Sequence, residues 1–217
     1  EQGLCSWSNA GPITDQFDWL RNQGGTPSSV TGPAVDHTTN TDQGFYMFTE
    51  VSDTSLAQGD RAILWSEHFP AATDSCFSLW YHMYGTNVGA LYVQKYTQGA
   101  FQPVWDIQGQ VGNVWQFANI SLSSNTEFQI TVIGEKGNGY TGDIAVDDLN
   151  YQEVSCGAVT TPAPTTTPGP SQAPSSFDCN FETDLCTWTQ SATDDFNWSW
   201  QQGSTATSNT GPEFDHT

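Results

Sequence analysis

The chain repeats itself, and this repeat limits the fold more than any other feature of the sequence. The stretch TGPAVDHT at residues 31–38 recurs as TGPEFDHT at residues 210–217. Two further stretches, EQGLCSW and DQFDW, recur as ETDLCTW and DDFNW in the same order. Because several motifs match in one order, we interpret the chain as one nearly complete domain followed by the first part of a second copy in a tandem array.

A connector at residues 157–176, which reads GAVTTPAPTTTPGPSQAPSS, separates the two copies. Repeated proline removes backbone donors and fixes φ, so an extended spacer is expected rather than a packed element. We therefore place a first domain at residues 1–156, the connector at 157–176 and the start of a second domain at 177–217. A Ser/Thr/Pro tract is typical of a mucin-like stalk, and a bare flexible linker is the alternative. The predicted O-glycosylation sites are Thr160, Thr161, Thr165, Thr166, Thr167, Ser171, Ser175 and Ser176.

Short segments of the first domain have the character of β-strands. They are rich in aromatic and β-branched residues and are separated by Gly, Asn, Asp or Ser. Apolar residues alternate at Phe77, Leu79, Tyr81 and Met83, as in a strand with one buried face. The pattern predicts an all-β fold, an antiparallel β-sandwich of jelly-roll type. The predicted strands lie in GFYMFTE, RAILWSE, CFSLWYHMY, GALYVQKY, NVWQFANI, TEFQITVIG and GDIAVDDLNY.

The charge balance disfavours two classes of partner. The chain has 24 acidic residues and 4 basic ones, for a formal net charge of −20. Because phosphate contacts need clustered lysine and arginine, neither nucleic acid nor an anionic membrane surface is expected as a partner. No apolar stretch approaches the roughly 18 residues of a membrane span. The many carboxylates suit a hard cation such as calcium.

The cysteine count is odd, with Cys5, Cys76, Cys156, Cys179 and Cys186. In the second copy the motif CNFE, which begins at Cys179, precedes the shared region, whereas the first copy begins at the equivalent of its glutamate. We therefore expect Cys5 to pair with a cysteine that lies before Glu1.

Taken together, these motifs resemble those of the MAM domain, a module named after meprin, the A5 protein and receptor tyrosine phosphatase mu. The resemblance rests on CNFE, C-x-W, DFNW, TGP…DHT, CFSLWYHMYG and GDIAVDDL, and it covers residues 1–156 and 179–217. It implies a jelly-roll sandwich in extracellular proteins, secreted or at the cell surface, that serve adhesion and self-association rather than catalysis. It also implies the disulfides Cys76–Cys156 and Cys179–Cys186, to which free buried thiols are the alternative for the first pair.

A calcium site is the strongest candidate for a functional site. Two adjacent aspartates in the otherwise apolar IAVDDL are costly unless something compensates the inward one, and alternation leaves only one of them inward. The resemblance supports the choice, because related jelly-roll modules carry a metal near this strand and the opening strand. The alternative is that Asp36 caps a turn and that Asp147 or Asp148 faces solvent. The candidate ligands are Glu1, Asp36, Asp147, Asp148, Glu182 and Asp215.

Catalysis is not indicated. The sequence has no G-x-S-x-G elbow, no H-E-x-x-H and no glycine loop that would cradle phosphate. His37, repeated as His216, is better explained as a structural histidine than as a catalytic one. Carboxylate pairs are weak evidence for glycosidase chemistry in so acidic a chain.

The tryptophans suggest a second kind of binding. Trp65, Trp80, Trp105 and Trp115 lie in or near predicted strands, where aromatic rings could stack on sugar rings. Aromatic residues are also the default filling of a core that is short of Leu and Ile, so a structural role is the alternative.

We therefore expect an extracellular adhesion or structural repeat protein whose domains associate with copies of themselves, in a filament or matrix polymer. The alternatives are a carbohydrate-binding, lectin-like module and the ectodomain of a larger adhesion receptor. Two N-x-S sequons predict N-glycosylation at Asn119 and Asn197.

Overall fold

The computed structural model describes residues 4–11 and 15–158. Within them, no helix is long and apolar enough to cross a membrane. The only helical element described there is a single 3-10 turn at Cys156–Ala158. The strands are β1 (Ser8–Asn9), β2 (Trp19–Gln23), β3 (Phe45–Thr49), β4 (Arg61–Trp65), β5 (Ala72–Met83), β6 (Ala90–Thr97), β7 (Ala100–Gln108), β8 (Gly112–Ser124), β9 (Gln129–Glu135) and β10 (Ile144–Gln152).

The strands form two five-stranded antiparallel sheets. The first sheet has the order β1-β4-β9-β6-β7, and the second has the order β2-β3-β10-β5-β8. In both sheets, neighbours in space are mostly distant in sequence; β5, for example, lies between β10 and β8. This arrangement confirms the predicted all-β sandwich of jelly-roll type.

The core lies between the sheets and follows the alternation of the strands. Phe77, Leu79 and Met83 of β5 are fully buried and face residues of the first sheet. Trp19 of β2 joins the two layers, because its indole N–H donates to the Ala62 carbonyl oxygen of β4 at 3.0 Å. Burial of a large apolar side chain contributes roughly 1.5–3 kcal/mol, so this shared core is the main stabilising contact between the sheets.

Three strands were not among the predicted segments. β1 has only two residues, which is too short for a recognisable pattern. β2 has the sequence WLRNQ, whose three polar residues leave no clear alternation of apolar residues. β7 contains Pro103, which cannot donate to a ladder and is confined to edge strands, where β7 indeed lies. The linker and the second copy lie outside the described residues, so the domain boundaries proposed for them stay predictions.

Candidate functional site

Asp36 organises the loop at residues 36–41, which precedes β3. Its side chain is fully buried. One carboxylate oxygen accepts the Thr39 backbone N–H at 2.8 Å, and the other accepts the Thr39 hydroxyl at 2.7 Å and the Thr41 N–H at 3.1 Å. Gly44 leaves room for this carboxylate, since a Cβ on residue 44 would lie 2.1 Å from the carboxyl carbon of Asp36. Asp36 therefore has the turn-capping arrangement that was the alternative to a metal ligand.

The two adjacent aspartates of β10 lie at a bulge. Between Asp147 and Asn150, β10 advances by three residues while the facing β5 advances by two. Asp148 has φ of 48°, a left-handed conformation that is uncommon for a residue other than glycine. Asp147 is partly buried and Asp148 is exposed, and the bulge nevertheless lets both carboxylates reach one segment of chain.

That segment is His37–Thr38 of the 36–41 loop. Asp147 accepts the His37 backbone N–H at 2.9 Å. Asp148 lies 2.7 Å from the His37 Nδ1 and accepts the Thr38 hydroxyl at 2.8 Å. Burial raises the pKa of Asp147 to about 6, and the negative charge of Asp148 adds to the rise. The aspartate pair thus fastens the loop to β10.

The loop lies over aromatic residues on the outer face of the second sheet. The His37 ring stacks on Trp80, with ring centroids 3.7 Å apart. The Trp115 indole N–H donates to the Val35 carbonyl oxygen at 3.0 Å. Next to them His82 is buried, which lowers its pKa to about 4 and keeps its ring neutral at physiological pH. These contacts hold the loop in place over the aromatic face.

The four tryptophans considered for sugar stacking do not share one cleft. Trp80 and Trp115 both contact the His37 ring of the 36–41 loop. Trp105 packs against Tyr81 at the core, and Trp65 contacts Tyr96 on the first sheet. The carbohydrate alternative stays a prediction, without a shared aromatic platform among these residues to support it.

The calcium prediction is not tested by the arrangement. Within the described residues, no group of three or more His, Cys, Asp or Glu side chains is placed to hold a metal ion. The carboxylates of Asp36, Asp147 and Asp148 accept hydrogen bonds from protein groups instead. The candidate ligands Glu1, Glu182 and Asp215 lie outside the described residues. A calcium site therefore stays a prediction.

Some of the predicted disulfide and glycosylation sites lie within the described residues, and others lie outside them. Cys76 and Cys156 form a disulfide, whereas Cys5 is exposed and has no disulfide partner among the described residues. Its pairing with a cysteine before Glu1 stays a prediction. Asn119 is exposed on β8, as glycosylation requires. Cys179, Cys186, Asn197 and all the serines and threonines proposed for O-glycosylation lie outside the described residues.

Asp143, at the start of β10, was missed by the sequence reasoning. It is fully buried, and this burial raises its pKa to about 6 although the Thr26 hydroxyl and the Lys136 charge oppose the rise. Lys136 is itself buried and donates to the Val51 and Gly139 carbonyl oxygens. The signal was available in GDIAVDDL, where Asp143 directly precedes a strand that begins with buried residues.

The shift at Asp143 predicts a pH dependence of stability. Because the folded pKa of about 6 exceeds the unfolded value of 3.8, the folded state binds the proton more tightly. The free energy of unfolding should therefore fall as the pH rises from about 4 to 6, by up to roughly 3 kcal/mol. Asp143→Asn should be more stable than the wild type at pH 7 and should lose that part of the pH dependence. Urea unfolding at pH 4.5, 5.5 and 7 measures this, with Asp74→Asn as the exposed control. Equal slopes for the wild type and Asp143→Asn would contradict it.

Comparison with known proteins gives a family. The family model for the MAM domain, meprin/A5/mu, matches residues 1–157 and, separately, residues 179–217. MAM domain-containing glycosylphosphatidylinositol anchor protein 1 of Homo sapiens is 38% identical over 164 residues, which cover 72% of this chain and 17% of that protein. Anchor protein 2 of the same series, also from Homo sapiens, is 37% identical, with 66% and 16% covered. The chain thus spans less than a fifth of the length of these curated relatives.

Solved structures give weaker likenesses. The K1 cleaved adhesin domain of Lys-gingipain from Porphyromonas gingivalis W83 has 12% identity and a TM-score of 0.45, and the match covers 68% of this chain and 90% of that one. TmCBM61 in complex with β-1,4-galactotriose has 16% identity and a TM-score of 0.41, with 67% and 87% covered. At these scores the two structures say nothing about a ligand of this chain. The family match covers most of the sequence, so the chain belongs to the MAM domain family.

Proposed function

We propose that this chain is part of an extracellular adhesion protein whose MAM domains bind copies of themselves. The domain itself is an extracellular one, and the matched relatives are named as glycosylphosphatidylinositol anchor proteins. Self-association is the further step, and the observation that carries it is the presence of two stretches that match the family in a single chain. Linked modules multiply weak contacts through effective concentration, so each contact can be modest.

The described geometry supports a binding role over catalysis. The charged and titratable side chains that converge at the candidate site, Asp36, His37, Asp147 and Asp148, are engaged with one another or with the loop backbone. A general base or nucleophile must instead reach a bound substrate. We therefore propose a non-enzymatic protein in which this cluster stabilises the fold.

The same contact between domains would serve two kinds of assembly. A filament or matrix polymer would follow if self-associating domains continued along a longer chain. The ectodomain of a larger adhesion receptor is the second candidate, and it is favoured by the small share of the relatives' length that this chain spans. Both assemblies use the same contact between domains.

Self-association is tested by sedimentation velocity on the whole chain without a glycan at Asn119. Cys5→Ser should be used, because the exposed thiol could join copies by disulfide exchange. We expect the weight-average sedimentation coefficient to rise with concentration, with a dissociation constant on the order of 10–100 µM, as for a small interface. Since each copy carries a formal charge of −20, association should strengthen with added salt. A monomer at every concentration and salt level would refute the proposal.

A further inference from the structure

The four edge strands of the sandwich differ in how open they are. β1 has two residues and β2 has five. The Asn9 side chain of β1 bonds to both the backbone N–H and the carbonyl oxygen of Trp19 in β2, at 3.0 Å each. These bonds join the two sheets on that side of the sandwich. The edge formed by β1 and β2 is therefore short and partly occupied.

The opposite side carries the edges β7 and β8. β7 contains Pro103, which lacks a backbone donor, a bulge near Val104 and the charged Asp106. Proline, bulges and charges are the features by which natural edge strands avoid pairing with another chain. β7 is therefore a protected edge.

β8 has these protections only near its ends, where its register with β5 shifts and where Lys95 donates to the Ser123 carbonyl oxygen. It has 13 residues and pairs with β5 on one side, and within the described residues no strand pairs with its other side. No charged residue occurs from Ile107 to Thr126. Its register with β5 is regular from Leu122 to Gln116. The central stretch from Gln116 to Leu122 is thus a regular, uncharged edge, and such an edge is a template for strand addition.

The side chains of β8 fit such an interface. Ile120 and Leu122 are buried in the core, whereas Asn119, Ser121 and Ser123 alternate with them and are exposed. These exposed side chains are small or neutral, so they present no charge to a neighbouring strand. The exposed Val114 adds apolar surface at the other end of the strand.

The charge of the chain favours a second copy as the occupant of this edge. Two copies with a formal charge of −20 repel each other over most of their surfaces. A contact through β8 keeps acidic side chains out of the interface, because the strand has none. Identical strands can also pair antiparallel about a two-fold axis, which gives a closed dimer with the same patch on both sides.

We propose that the free edge of β8 pairs antiparallel with β8 of a second copy, so that the two second sheets join into one continuous sheet. This inference rests on the proposed function, since it names the surface by which the domains associate. A glycan at Asn119 would stand in the middle of the paired strands and oppose the contact. Asn119 would then control whether the edge is available.

Two substitutions at one position test this pairing. Asn119→Gln removes the sequon without adding charge, and Asn119→Glu differs from it only by the carboxylate. In a two-fold pair the two glutamates lie near each other at the same interface, and like charges across strands are destabilising. We expect Asn119→Glu to raise the dissociation constant at least tenfold relative to Asn119→Gln, and high salt to restore part of the affinity. Gln102→Glu on β7, in the Asn119→Gln background, adds the same charge to the protected edge and should change the constant less than twofold.

Sedimentation velocity gives the constants, and hydrogen exchange locates the contact. In Asn119→Gln, β8 amides should become more protected as concentration rises. Wild-type protein that carries a glycan at Asn119, verified by intact mass, should associate at least tenfold more weakly. Equal constants for the glutamine and glutamate variants, or for glycosylated and sequon-free protein, would overturn the β8 pairing while self-association stood. If Asn119→Gln stayed monomeric at all concentrations, the proposed self-association itself would fail.

Discussion

Replacing Cys76 and Cys156 together by serine is expected to lower the free energy of unfolding by about 4–5 kcal/mol. The disulfide joins residues 80 apart in sequence, and a cross-link of that span restricts the unfolded chain by about this amount. For a domain of this size the loss corresponds to a fall in melting temperature of roughly 10–15 °C. Urea unfolding and scanning calorimetry of the oxidised proteins measure both quantities.

The control for this experiment is Cys5→Ser. Cys5 is exposed and has no partner in the part of the chain that the structure describes, so its replacement in this chain should leave the melting temperature unchanged. Reducing agent should lower the stability of the wild type toward that of the double variant and should not affect the double variant. A loss below about 1 kcal/mol in the double serine variant would contradict the expected effect of the cross-link on the unfolded chain.

The sandwich was predictable because its strands alternate with a clear period. Phe77, Leu79 and Met83 are buried because every second residue of β5 faces the core. β7 was not predicted as a strand because Pro103 interrupts its pattern, although proline is acceptable in an edge strand. Alternation of apolar residues with a period of two therefore identifies regular strands. It does not identify an edge strand such as β7, whose position at the edge of the sheet tolerates proline and a bulge.

The candidate site was predictable in its residues but not in its arrangement. The sequence singled out Asp36, His37 and the aspartate pair. It could not show that His37 meets Asp148 across 111 residues, or that a bulge turns both aspartates of the pair to one loop segment. Such a bulge depends on the left-handed conformation of Asp148, which no glycine or other local signal marks.

Asp36→Ala is expected to detach the 36–41 loop and to lower the free energy of unfolding by roughly 3–5 kcal/mol. The change removes a buried carboxylate acceptor from two backbone N–H groups and one hydroxyl, and a hydrogen bond to a charged group contributes about 1.5–3 kcal/mol. Because Thr39 and Thr41 are exposed, water replaces part of the loss. Trp80 and Trp115 should then become more exposed, since His37 of the loop contacts both. Urea unfolding gives the stability, and a red shift of tryptophan emission in the folded state reports the uncovering. Unchanged emission would contradict the role of the loop as a cover.

Gly44→Ala separates the shape of this site from its hydrogen bonds. In the wild type the added methyl would lie 2.1 Å from the Asp36 carboxyl carbon, so we expect a loss of roughly 2–4 kcal/mol from forced displacement of a buried group. In the Asp36→Ala background the carboxylate is gone, and the same methyl should cost less than about 1 kcal/mol. Gly25→Ala is the matched control, because nothing lies within 4 Å of a methyl there. The two substitutions should therefore be strongly non-additive in a double-mutant cycle. If the losses in the free energy of unfolding were additive, the cost of Gly44→Ala would not come from a clash with the Asp36 carboxylate. Gly44 would then be needed only for its own backbone conformation.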